Sequence, residues 1–85
     1  SGLRCTSFLV NGRRHLAVLA CSKYTEATGV LAIFGPDLGV RYEQVMGVAE
    51  GLAAVPDTAD SDALLVGERS GIHRYTFEEP EPPAK

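Results

Sequence analysis

The arm that follows Asn11-Gly12 constrains this chain most, because His15-Leu-Ala-Val-Leu-Ala-Cys21 runs apolar without a break. That pattern suits a strand covered on both faces, as in a stacked or multi-sheet structure. Asn-Gly supplies the two positive φ angles that a tight primed turn demands, so Thr6 to Val10 and Arg13 to Cys21 are expected to form a hairpin around it. Pairing Val10 with Arg13 then sets Phe8 opposite His15 and Cys5 opposite Val18. Cys5 and Cys21 fall on opposite sides of that sheet, so a bridge between them would need another register. Both are expected to be small buried hydrophobes, the usual state of a free cysteine.

Beyond a polar, loop-like stretch from Ser22 to Thr28, Gly29 opens a third strand, Val30-Leu-Ala-Ile-Phe34, which Gly35-Pro36-Asp37 closes. Val40-Arg41-Tyr42-Glu43 alternates apolar with charged, as a strand with one wet face does. The region 38–54 carries two readings. Leu38, Tyr42, Val45, Met46, Ala49, Leu52 and Ala53 fall near one helical stripe. Against a helix, Gly39, Gly47 and Gly51 would each cost its interior about 1 kcal/mol relative to Ala, and no N-cap with an acidic partner precedes the run. The strand reading puts a break near Gly47, a short strand at Leu52 to Val55, and Gly47 and Gly51 in turns at positive φ.

The closing pair, Ala63-Leu-Leu-Val66 and Ile72-His-Arg-Tyr-Thr-Phe77, flanks Arg69-Ser70-Gly71 and reads as two strands around a turn. Residues 1–77 therefore form one strand-rich unit. Residues 78–85, Glu-Glu-Pro-Glu-Pro-Pro-Ala-Lys, have the proline and charge content of an extended tail.

A chain of 85 residues has room for one domain at most and buries only a modest core, so its 45% hydrophobic share must be used efficiently or completed by a partner. A net charge of -3, from 8 basic and 11 acidic residues, gives no electrostatic reason to expect nucleic acid. No apolar stretch approaches the roughly 18 residues that span a bilayer, and no secretory signal opens the chain, so a soluble protein without a membrane partner is expected. It begins Ser-Gly, with Met46 its single methionine, and is read as a processed or excised segment. The compartment stays open, with an intracellular location preferred.

The order apolar strand, turn, glycine, strand occurs twice. Leu16 to Ala20 followed by Gly29 to Phe34 corresponds to Leu64 to Val66 followed by Gly71 to Phe77, at a period of about 40 to 50 residues, the spacing of propeller blades. Strands at 6–10, 15–21, 29–34 and 40–45 then make one blade, and those at 52–55, 63–67 and 72–77 make three-quarters of the next. On these residues the chain resembles the WD-repeat-like β-propellers as a broad class. The phrase Leu64-Leu-Val-Gly-Glu-Arg-Ser-Gly-Ile-His-Arg-Tyr75 looks like their common strand, turn, glycine, strand unit, while the Trp-Asp dipeptide and the Gly-His start are absent. The resemblance implies an all-β fold of antiparallel sheets and a rigid interaction platform. Because propellers close with about four to eight blades, it also implies a larger parent, a partner chain or several copies.

Candidate chemistry is sparse. Asp57, Asp60 and Asp62 gather oxygens in one loop, but their spacing, with Ala63 following, departs from a calcium loop, and a solvated turn is expected. His15 and His73 lie in expected strands beside apolar or aromatic residues and read as structural. Gly67-Glu-Arg-Ser-Gly71 places its serine one position late for a nucleophile elbow, with a strand rather than a helix following. No phosphate-loop or dinucleotide pattern occurs, and no cofactor is implied. The candidate interaction residues are Tyr24 in the polar loop, Arg13 and Arg14 at the first hairpin, and His73.

The expected function is a non-catalytic protein-interaction or scaffold module, a segment of a larger or oligomeric β-propeller with a protein partner or further copies of itself. Two alternatives stand beside it. One is a small α+β ligand-binding or enzymatic domain with a helix over 38–54, and the other is an oligomeric propeller that binds sugars between blades.

Overall fold

The structure, a computed structural model, describes residues 2–21 and 28–78. Seven strands follow one another: β1 (Gly2–Val10), β2 (Arg13–Cys21), β3 (Gly29–Phe34), β4 (Val40–Met46), β5 (Ala49–Pro56), β6 (Asp62–Glu68) and β7 (Gly71–Tyr75). They form two antiparallel meanders, a sheet of order β1-β2-β3-β4 and a sheet of order β5-β6-β7. The chain is all-β over the described residues.

The first hairpin has the register that Asn-Gly dictates. Asn11 and Gly12 take φ of 52° and 76°, Val10 pairs with Arg13, Phe8 with His15 and Cys5 with Val18. Both cysteines are free, as that register requires, but only Cys21 is buried. Cys5 is exposed, which corrects the expectation of two buried thiols, because the face it shares with Val18 is not covered by the second sheet.

No helix forms over 38–54, which removes the α+β alternative. Val45 is 69% exposed while Met46, its neighbour, is buried, so the side chains alternate with period two. Val30 and Gly29 of β3 pair with Val45 and Met46 respectively. Leu38, the first member of the helical stripe, stands 71% exposed in a tight turn at φ 66°. There the Gly35 amide donates to the Gly39 carbonyl, the Leu38 amide to the Gly35 carbonyl, and the Gly39 amide to Asp37 Oδ1, each at 2.9 Å. Neither Gly47 nor Gly51 has the positive φ expected of a turn glycine. Gly47 lies in the short link between β4 and β5, and Gly51 stands beside a bulge in β5, opposite Gly67.

The second sheet packs on one face of the first, here called its front, and the two together enclose the core. Phe8, Val10, Ala17, Leu19, Leu31, Ile33, Met46 and Ala49 meet Leu64 and Val66, with Leu52, Ala54, Tyr75 and Phe77 closing the sides. Strand β7 ends at Tyr75, two residues before the expected boundary. Phe77 instead crosses to the first sheet, its ring 5.8 Å from Phe8 and 5.4 Å from Tyr42 between centroids, so it ties β7 to β1 and β4. Glu78 is the last described residue, so the tail expected over 78–85 lies otherwise outside the described residues.

Candidate interaction surface

Pairing partners share a face, so the register defines the uncovered back of the first sheet. Leu3 and Ala20, Cys5 and Val18, Ser7 and Leu16 lie there, joined through β3 by Val30, Ala32 and Phe34 and at the edge by Val45 and the charged Glu43. Leu3 is 61% exposed, and Leu16, Val18, Val30, Ala32 and Phe34 are half-buried, with no strand of the second sheet lying over them among the described residues. This is the second apolar face that the unbroken run in β2 announces. The second sheet also has an apolar back. Ala53 and Leu65 pair there, as do Gly51 and Gly67, Ile72 beside them is 76% exposed, and Arg74, opposite Leu65 and paired with Asp57, sets one charge on this otherwise apolar face. The molecule is thus a two-layer stack with an apolar face on each outer side, and contiguous exposed apolar surface marks interaction sites.

The sequence-nominated residues do not gather at one place. Tyr24 lies outside the described residues. Arg13 and Arg14 open β2 just after the first turn and point to opposite faces, with Arg14 Nη1 donating to Ser7 Oγ at 3.4 Å. His73 sits near the β6–β7 turn, at the other end of β6 from the loop that holds the first hairpin, a separation of about 20 Å along a seven-residue strand.

His73 does meet polar groups. Its Nε2 is 2.8 Å from Ser70 Oγ and 3.8 Å from Glu68 Oε2, and Tyr75 donates to the same carboxylate oxygen at 3.0 Å. Burial, and then the Glu68 carboxylate, push the Tyr75 phenol above its ordinary value. A serine triad needs the serine and the carboxylate on opposite ring nitrogens, so that the acid orients the base. Here both approach one nitrogen, on a side chain 46% exposed. The adjoining shallow cleft is walled by Val48, Glu50, Gly67, Glu68 and Arg69. This arrangement does not suit nucleophilic catalysis.

His15 is buried at 3% exposure, its Nδ1 donating to the Arg13 carbonyl at 2.9 Å and its ring 5.9 Å from that of Phe8. It forms the floor of a cleft of about 250 Å³ whose apolar walls include Val10, Ile33, Tyr42 and Phe77, with Arg41 and Glu78 at the rim. Arg41 is engaged by Asp37 at 3.0 Å. The Gly39 amide, with help from Arg41, holds the Asp37 carboxyl below its ordinary value.

The loop aspartates have structural work that no local pattern reveals. Asp62 Oδ2 accepts the Leu9 amide, Ser61 Oγ the Asn11 amide, and the Asp60 carbonyl the Gly12 amide, so this loop clamps the first hairpin. Asp57 pairs with Arg74 of β7. Among the described residues, no three His, Cys, Asp or Glu side chains converge as a metal site requires. No helix there is long and apolar enough to cross a membrane.

Fold and surface together define a class, an all-β protein of two stacked antiparallel meanders with apolar outer faces. No protein-family model, curated protein or solved structure matches the chain.

Proposed function

We propose that this chain is a non-catalytic protein-interaction or scaffold module, a segment of a larger or oligomeric β-propeller. The observation that carries the reading is the back of the β1–β4 sheet, which no other described strand covers and where Leu16, Val18, Val30 and Phe34 are only half-buried beside the exposed Leu3 and Val45. Apolar surface of that kind costs free energy in water at about 25 cal/mol per Å² and is recovered when another sheet covers it. Two successive meanders stacked face to face also agree with neighbouring blades, each of which needs sheets on both sides. Seven strands fall short of a closed ring, so on this reading the remaining sheets come from a larger parent protein, a partner chain or further copies.

The test is dye binding at high dilution. The folded chain should enhance the fluorescence of an apolar probe such as anilinonaphthalene sulfonate. Val18→Lys should remove most of that signal while the strand circular dichroism and cooperative melt persist. A folded chain that binds no dye would overturn the reading, because no open apolar face would then exist.

A further inference from the structure

We infer that the partner is a second copy of this chain, joined head to tail, with the back of its β5–β7 sheet seated on the back of the β1–β4 sheet. The inference rests on the reading of these backs as interaction surfaces and names what covers them. The interface already inside the molecule is one such joint, with the front of the four-stranded sheet on the inner face of the three-stranded one. A copy placed on the outer side continues that stack in the same order, four-stranded sheet against three-stranded sheet.

The two backs are complementary in relief. The four-stranded back presents bulk, with Leu16, Val18, Val30 and Phe34. The three-stranded back is low where Gly51 faces Gly67, since neither carries a side chain, and Leu65, Ile72 and Arg74 stand beside that trough. At strand spacings near 4.8 Å and about 3.4 Å per residue, each back projects to roughly 300–400 Å². Two such faces together come to about 600–800 Å², the size of a weak contact that forms as concentration rises. Because each copy offers two different patches, the contact is heterologous, and it either closes a ring or extends into a longer stack. A back meeting its own counterpart would instead give a closed dimer and leave Ile72 in water.

Sedimentation velocity on the 85-residue chain, with three single-face variants, tests this. Val18→Lys blocks the four-stranded back, and Val45→Lys, at a position 69% exposed, repeats that block without touching the packed interior. Ile72→Lys, at 76% exposure, blocks the other back. The unsubstituted chain should rise past dimer mass as concentration increases, and each variant alone should stay monomeric. An equimolar mixture of Val18→Lys or Val45→Lys with Ile72→Lys should form a dimer and stop there, since one intact face of each kind remains. A chain that stays monomeric at every concentration overturns the inference while leaving the dye-binding result untouched. So does an Ile72→Lys variant that associates as well as the parent, because the four-stranded back would then be meeting itself.

Discussion

The Asp62 carboxylate accepts the backbone amide of Leu9 at 2.9 Å, across 53 positions of sequence. Leu9 lies on the edge strand β1, and its amide points away from β2, where an exposed ladder would otherwise offer itself for pairing. One side chain at the start of β6 thus satisfies an edge donor of the first sheet and holds the two meanders in register. Asp62→Ala should cost about 1.5–3 kcal/mol, the range for a charge-assisted hydrogen bond, and Asp62→Asn distinctly less, since its carbonyl can still accept. Urea denaturation measures both. Equal losses would mean that the contact contributes through charge alone.

Leu38 occupies the left-handed region at φ 66° with its side chain 71% exposed, so it bears conformational strain without compensating burial. Leu38→Asn should stabilise the chain by about 1 kcal/mol, because Asn tolerates this region and loses no packing. An unchanged or lowered melting temperature would show that the exposed leucine makes contacts that offset the strain.

Phe77 joins the sheets through Phe8, with ring centroids 5.8 Å apart. A double-mutant cycle on Phe8→Leu and Phe77→Leu should give a coupling of about 0.5–1.5 kcal/mol, the value of an aromatic pair beyond its burial. Additive losses would mean that Phe77 merely covers surface.

Tyr75 is the phenol whose ionisation burial and the Glu68 carboxylate oppose. Its neutral form is favoured by folding, so the stability it contributes is complete below the ordinary value of 10.0 and is lost as pH rises through the elevated folded value. Ultraviolet titration should show a tyrosine ionising late. Tyr75→Phe should remove that step and flatten the alkaline loss of stability.

Much of this architecture is written in local signals. Asn11-Gly12 sets the whole β1–β2 register, and the unbroken apolar run of β2 announces a strand with two dry faces. Local patterns cannot say which of those faces the rest of the chain covers, and so Cys5 reads as buried although it lies on the open back. The same limit hides Phe77. Ile72 to Phe77 alternates as a strand does, but after Tyr75 pairs with Leu64 the next inward position would face Asp62, whose carboxylate is turned to Leu9. The hairpin partners of the aspartate loop lie some fifty positions away, so read alone it looks like a solvated turn. Residues 38–54 were ambiguous for a related reason: seven apolar side chains fit a helical stripe, and only the pairing of Val45 and Met46 with β3 fixes the period at two.

Methyl-detected paramagnetic relaxation by a soluble nitroxide, on the dilute chain, reports directly which face of the β1–β4 sheet meets water. Strong attenuation is predicted at Leu16, Val18, Val30 and Val45, with Leu19, Leu31 and Ile33 on the front spared. Equal protection of both sets would mean that the chain covers its own back, and would contradict the account.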